Sequence, residues 1–286
     1  MYPAQFEYHK AGTVKEAVDL LAKYKDEAKL LAGGHSLLPA MKLRLAQPKH
    51  LIDIGKVSGL AGIKEEGGTL VIGAMTTHYA IESSAVLKSK CPLLPEVAGH
   101  IGDPMVRNLG TLGGSLAHAD PAADWPAAVI ALGAELVAEG PKGRRTIKVD
   151  DFFKGLLTTA LAETEILTEI RVPACGVNVK CAYAKFPHPA SRFAVVGVAA
   201  VLTMDGGKIG KASIGITGAG TKATRAKGVE AAIAGKPADA ASIQAAASSA
   251  ADGVDVQADL QGSVEYKQHL LRVFAKRAME AAAAKK

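Results

Sequence analysis

Cysteine is scarce: the 286-residue chain has three, Cys91, Cys175 and Cys181, and none forms a C-x-x-C pair. That is too few for a four-cysteine cluster, so the chain is expected to hold no iron–sulfur centre of its own, and the three read as reduced structural thiols. Aromatic residues make up only 5% and alanine is abundant, which favours close-packed helices and small-residue loops. No stretch approaches about 18 uncharged apolar residues, and Met1 to Lys10 lacks the apolar centre of an export signal. Neither membrane spanning nor export by that route is expected, and the chain reads as cytoplasmic. There is no Ser nucleophile elbow, so no residue is assigned a catalytic role. His35, His78, His100, His118 and His188 have no metal-ligand spacing, and none is assigned to a metal. The net charge of +6 comes from scattered Lys and Arg without a recognition helix or an aromatic-interleaved basic patch. A solvated surface, partly meeting acidic ligands or partners, fits that pattern better than nucleic acid.

What is present is globular: 49% hydrophobic and 22% charged residues, on a chain longer than one core usually organises. Both periodicities occur, which predicts an α+β protein of two or three lobes. Thr13-Val14-Lys15-Glu16 has capping-box spacing, so a helix should run to about Lys25. A strand over Ala28 to Ala32 leads into Gly33-Gly34-His35-Ser36, then a helix over Leu37 to Leu45 and a strand over His50 to Ile54. Gly67-Gly68 marks a hairpin. Helices are expected over Ile81 to Lys90, Pro95 to His100 and Ala122 to Leu132, a loop over Gly110 to Ser115, and strands around Ala134 to Ala138 and Glu165 to Val172. Past the Pro/Gly/Cys stretch near Pro173 to Val179 come strands over Tyr183 to Phe186, Ala194 to Met204 and Lys208 to Thr217, with Asp205-Gly206-Gly207 as a turn. Three alanine-rich helices close the chain, the last with Tyr266, Leu270, Val273 and Phe274 as its buried stripe. The expected division is 1–57, 58–176 and 177–286.

Two glycine pairs carry the functional signal. Gly33-Gly34 stands at a strand end before a helix, where bare backbone N–H groups and a helix start can receive a phosphate oxygen; an ordinary tight turn has the same appearance. Thr111-Leu112-Gly113-Gly114-Ser115 repeats the theme in the second lobe, with two hydroxyls to add. Neither is a Rossmann or Walker loop. Two such loops suit a dinucleotide lying between lobes. Asp120 and Asp124 stand a few residues on, as acceptors for ribityl or ribose hydroxyls or, for Asp120, as a cap for the helix around Ala122.

The runs Leu31 to Leu37, Val106 to Ser115 and Asp120 to Ala127, with Glu165-Ile166-Leu167, Ile170 to Pro173 and Tyr266 to Leu271, together resemble the FAD-binding medium subunit of the molybdenum hydroxylases, the carbon monoxide dehydrogenase and xanthine dehydrogenase superfamily. The resemblance spans essentially the whole chain. It implies a two-lobed FAD-binding domain of the vanillyl-alcohol oxidase type, followed by a small antiparallel sheet with a C-terminal helical bundle. It also implies that Ala32, Gly33, Gly34, His35 and Ser36, with Thr111, Leu112, Gly113, Gly114 and Ser115, hold the pyrophosphate of noncovalent FAD, and that Leu31 is a further cofactor-binding residue. Asp124 would bind a cofactor hydroxyl and Ile101 would pack on adenine. Leu167 and Lys185 would lie near the isoalloxazine, although a solvated strand lysine is the plain alternative for Lys185. Relatives near carbon monoxide dehydrogenase often carry Asn at position 115 and Tyr at position 193. Here Ser115 shortens the polar contact, and Phe193 can stack on the flavin or fill a core, but cannot donate a hydrogen bond.

The resemblance further implies partners: a small subunit with [2Fe-2S] clusters and a large subunit with the molybdenum cofactor, assembled as a dimer of heterotrimers. The substrate would then be chosen elsewhere, whether carbon monoxide, an aldehyde, a purine or an N-heterocycle. The rival readings are a stand-alone FAD oxidase, which the short alanine-rich tail disfavours, and a flavin-free scaffold, which the intact glycine pairs disfavour.

Overall fold

The structure is a computed structural model, and residues 1–285 are described. Its first unit is a parallel sheet in the order β1 (Glu7–Lys10), β3 (His50–Asp53), β2 (Ala28–Leu31), covered by α1 (Val14–Tyr24). Thr13 caps α1, its Oγ1 accepting the Glu16 N–H at 3.1 Å, while the Glu16 carboxylate accepts the Gly12 N–H at 2.7 Å. Ala17, Val18 and Leu21 recur at helical spacing and are buried against Ile52 and Ile54. The next helix, α2 (Leu37–Lys42), stops short of the expected Leu45 because Arg44 turns left-handed at φ 62°. Leu43 and Leu45 are left exposed.

The second unit is an antiparallel sheet, β4 (Ile63–Glu66), β5 (Thr69–Gly73), β10 (Ile166–Pro173), β6 (Glu135–Gly140), β7 (Gly143–Lys148), in that spatial order. Helices between β5 and β6 form its cover. The expected helix over Ile81 to Lys90 is two, α3 (His78–Ser83) and α4 (Ala85–Lys90), because Ser84 adopts an extended backbone and caps the second with its hydroxyl. After α5 (Leu93–Gly99) comes an unanticipated helix, α6 (Pro104–Leu109). Its signal was legible: Asp103 caps it and Pro104 stands in its first turn. The expected loop over Gly110 to Ser115 is also a correction. Thr111 caps a helix, α7 (Leu112–His118), which places both glycines of the second pair in a helical first turn. Every residue of α8 (Asp124–Leu132) is buried. A short hairpin, β8 (Phe153–Gly155) and β9 (Thr158–Thr159), precedes β10.

The third unit is an antiparallel sheet, β11 (Val179–Pro187), β12 (Ala194–Asp205), β13 (Lys208–Thr217), β14 (Thr224–Arg225). Asp205-Gly206-Gly207 turns β12 into β13, with both glycines at positive φ, 53° and 82°. Residues of α9 (Lys227–Ile233), α10 (Ala240–Ala247) and α11 (Val264–Ala284) share a core with one face of this sheet. On α11 the buried stripe is Leu270, Leu271, Phe274, Ala278 and Met279; Tyr266 is exposed and Val273 half-buried, so the stripe lies to one side of the expected one. The other face meets α8 so closely that a Cβ on Gly215 would strike the Ala127 carbonyl. The ends of the third sheet also grip the Asp120–Asp124 turn. Gly218 N–H donates to the Pro121 carbonyl at 2.6 Å and Ala194 N–H to the Ala122 carbonyl at 3.0 Å, while Thr217 Oγ1 stands 2.6 Å from the carbonyls of Pro121 and Ala123.

Candidate functional site, a dinucleotide-sized cavity between two lobes

A cavity of about 610 Å³ opens between the first and second units, within the range of cofactor sites. One wall is the turn after β2, Ala32 to Ser36; the facing wall is Gly110, Thr111, Gly113, Gly114 and Ser115 with Ile101 and Gly102. Asp120 and Asp124 border it from the turn before α8, Leu167 from β10, and Phe193 from the loop before β12. All the residues singled out from the sequence border the cavity except Leu31, Leu112 and Lys185.

Those three have physical reasons to lie elsewhere. Leu31 still belongs to the sheet, its carbonyl accepting the Ile54 N–H at 3.1 Å. Leu112 has no exposed surface and sits in the core of the second unit. The Lys185 side chain is 2% exposed, and its ammonium donates to Asp124 Oδ2 at 2.9 Å and to the His100 carbonyl at 3.1 Å. It is neither a solvated strand lysine nor free to reach into the cavity; a buried ammonium requires a buried carboxylate. Asp124 Oδ1 also accepts the Tyr183 hydroxyl at 2.5 Å. Burial raises the Asp124 pKa against the pull of Lys185, and burial likewise holds the Tyr183 hydroxyl well above its ordinary range. Asp124 therefore knits α8 to β11 while keeping an edge in the cavity wall.

The two glycine pairs differ in what they do. The N–H groups of Gly33, Gly34, His35 and Ser36 donate to no protein acceptor among the described residues. With Gly34 at φ +75°, this is a run of open donors of the kind that receives an anion. The second pair is internally satisfied: Gly113 N–H donates to the Ala74 carbonyl at 2.8 Å and Gly114 N–H to Thr111 Oγ1 at 3.1 Å. Its glycines serve proximity. A Cβ on Gly113 would strike Ala74, and one on Gly114 would stand 2.6 Å from Thr111 Oγ1 and 3.5 Å from the Ala32 Cβ. Gly33 makes the closest approach between the walls, where a Cβ would collide with the Leu109 carbonyl and stand 2.8 Å from Gly110 Cα. Asp120 caps no helix; its Oδ1 accepts the Ala122 N–H at 2.8 Å and shapes the turn.

The cavity also has walls without a sequence signal. His78 is 5% exposed and its Nδ1 accepts the Trp125 indole N–H at 3.0 Å, a pairing of residues 47 apart. Burial lowers its pKa to about 4. His118, Met75 and Leu157, the last at φ 51° in the β8–β9 hairpin, also border the space. Outside the cavity, Glu7, His9 and His50 bring three donor atoms within 4.8 Å of one another. The two imidazoles are 3.1 Å apart, a hydrogen-bond distance, and Glu7 is exposed.

An anion-receiving turn and a facing helical wall, closed by an antiparallel sheet and joined to a second sheet with a helical cover, define a class. The chain belongs to the family described as the FAD-binding domain in molybdopterin dehydrogenase, which matches residues 4–175, and residues 181–282 match the CO dehydrogenase flavoprotein C-terminal domain. Among individual proteins, it is similar to the carbon monoxide dehydrogenase medium chain of Hydrogenophaga pseudoflava, 45% identical over 282 residues, 99% of this chain and 98% of that one. The solved carbon monoxide dehydrogenase of that organism lacking the Mo-pyranopterin moiety superposes with a TM-score of 0.96 at 47% identity, over 99% of each chain. The 6-hydroxypseudooxynicotine dehydrogenase complex subunit alpha of Paenarthrobacter nicotinovorans is 34% identical over 280 residues, 98% of this chain and 95% of that one. No described helix is long and apolar enough to cross a membrane.

Proposed function

We propose that this chain is the FAD-binding, electron-transferring subunit of a cytoplasmic molybdenum hydroxylase of the carbon monoxide dehydrogenase type. The observation that carries the reading is the open run of amides at Gly33, Gly34, His35 and Ser36 in the wall of a cavity of about 610 Å³. Four consecutive donors without a protein acceptor fit a pyrophosphate, and a Cβ at Gly33 would close the approach. Ala32, Thr111, Ser115, Asp120 and Ile101 complete the cofactor's surroundings, with Gly113 and Gly114 keeping the second wall near the first. Leu167 and Phe193, on the same cavity, border the remaining length available to the flavin end. Bound FAD supplies the one- and two-electron chemistry of this subunit.

The chain's own part is binding, orientation and exclusion of water. Gly33 to Ser36 donate hydrogen bonds, Asp120 and the outer edge of Asp124 accept them, and Phe193 covers one side of the opening. Lys185 acts at one remove, neutralising Asp124 and holding β11 against α8. Partners follow from the relatives: a small iron–sulfur subunit delivers electrons and a large molybdenum subunit oxidises the substrate, assembled as a dimer of heterotrimers. The higher identity to a carbon monoxide dehydrogenase chain than to a nicotinoid dehydrogenase chain, 45% against 34%, supports the carbon monoxide branch. The units divide at 57/58 and 176/177 in this reading.

The test is titration of the purified chain with FAD and with FMN, followed by flavin fluorescence. Preference for FAD is expected, since FMN lacks the pyrophosphate; equal affinity for the two sinks the reading. Native mass spectrometry of the purified complex tests the partners, and turnover of carbon monoxide or an aldehyde by this chain alone would replace the relay with a stand-alone oxidase.

A further inference from the structure

Among the polar side chains around the cavity, His78 is both buried and half paired. It opens α3, where its backbone N–H donates to the Gly110 carbonyl at 2.9 Å and places the imidazole beneath the second wall. Nδ1 accepts the Trp125 indole N–H at 3.0 Å. Indole nitrogen is a donor only, so Nδ1 must be the bare nitrogen and the single proton of a neutral ring must sit on Nε2. Trp125 has no exposed surface and His78 only 5%, so packing fixes this arrangement. Nε2 has no acceptor among the described residues, yet it is not a fully enclosed orphan, for no enclosed side-chain nitrogen lacks a partner. Its open side is the cavity that His78 borders.

The position of that donor narrows its ligand. A Cβ on Gly110 would stand 2.7 Å from Nε2, so the imidazole edge lies against the Gly110 backbone. Gly110 Cα is also the atom that Gly33 approaches from the other wall. The imidazole edge thus lies under the residue at which the two walls make their close approach. His35 and Arg107 are the charged or titratable neighbours close enough to act on the ring.

We infer that His78 is an anchoring residue for the cofactor, its tautomer locked by Trp125 so that Nε2–H donates a hydrogen bond to a phosphate oxygen of the pyrophosphate. This rests on the FAD reading above and adds to it a donor outside both glycine pairs. A neutral donor suits the place, because burial disfavours the imidazolium, and a neutral ring binds the anion without needing a proton from solvent. Gly110, whose backbone at φ −59° any residue could adopt, is then required for the space it leaves: any side chain there would push the imidazole off its line.

The experiment uses the full chain freed of flavin, with the variants H78Q, H78F and W125F. FAD affinity is read by fluorescence titration, and the imidazole by ¹H–¹⁵N spectra of the wild type and W125F. H78F should bind FAD about 10- to 100-fold more weakly, the range for losing a hydrogen bond to a charged group. H78Q, which restores an N–H donor, should recover most of that loss. W125F, which unlocks the tautomer, should fall between, with the ¹⁵N signals showing a mixture of ring forms. In the wild type the Nε2–H resonance should move on addition of FAD. Should H78F fail to fold, H78Q and the wild-type resonance still decide. An Nε2–H signal indifferent to FAD, or H78F binding as tightly as the wild type, overturns the inference while leaving FAD binding in place. A wild type that ignores FAD overturns the cofactor reading itself.

Discussion

Acid should weaken the flavin-free protein through one histidine. Unfolded, an imidazole titrates near 6.5; in the fold, burial holds His78 near 4. Above the unfolded value both states are neutral at this position, and its contribution is whole. As the pH falls from 6.5 toward 4, the unfolded chain takes up a proton that the native site refuses. Stability then drops by about 1.4 kcal/mol for each pH unit. The whole interval corresponds to about 3 kcal/mol, of which about 2 kcal/mol is gone by about pH 5. The perturbation that isolates it is His78→Gln, whose amide keeps an acceptor for the Trp125 N–H and does not titrate. Urea unfolding of both proteins at about pH 7 and about pH 5, followed by far-UV circular dichroism, measures the difference. The variant starts less stable, and the wild type should lose about 2 kcal/mol more than it does over that interval. If the gap between the two proteins stays constant across the interval, burial is not suppressing the His78 charge.

Three further outcomes follow from the same geometry. Gly33→Ala forces a methyl group onto the Leu109 carbonyl, so the walls must separate; thermal unfolding should register about 1–3 kcal/mol of destabilisation, and FAD binding should fall with it. Lys185→Met leaves Asp124 charged and buried, costing about 3–5 kcal/mol in chemical denaturation, whereas the double variant Lys185→Met/Asp124→Leu should regain most of that loss. Phe193→Ala removes a side chain that is 42% exposed, so stability should change by no more than about 0.5 kcal/mol while quenching of bound flavin by iodide rises; unaltered quenching would make Phe193 a bystander.

Much of this molecule is legible in the sequence because its signals are local. Thr13 caps α1 three residues ahead of Glu16, Asp205-Gly206-Gly207 turns a hairpin, and Gly33-Gly34 stands where a strand ends. Each depends on neighbours within a few positions. What the sequence hid depends on partners far along the chain. Lys185 reads by itself as a solvated strand lysine until the fold brings Asp124, 61 residues away, to its ammonium. His78 reads as an isolated histidine until Trp125 arrives at its Nδ1. The second glycine pair misleads in a subtler way. Gly-Gly predicts open loop by composition, yet Thr111 supplies a cap and the Ala74 carbonyl takes the Gly113 N–H, so a helix begins where a loop is expected. Small size at Gly113 and Gly114 serves interlocking, a property that only a packed neighbour reveals.

The clasp of the third sheet on the Asp120–Asp124 turn bears on how chimeras of such proteins should be built. The carbonyls of Pro121, Ala122 and Ala123 are acceptors for Thr217, Gly218 and Ala194, so the cavity wall and the tail share one set of hydrogen bonds. A splice placed only at the visible joint near residue 176 would set a foreign tail on a native turn and put at risk the Thr217 hydroxyl contacts, which depend on a side chain, and the fit of the backbone ones. A functional hybrid must carry the turn and the tail from the same parent, although some fifty residues of unrelated chain run between them.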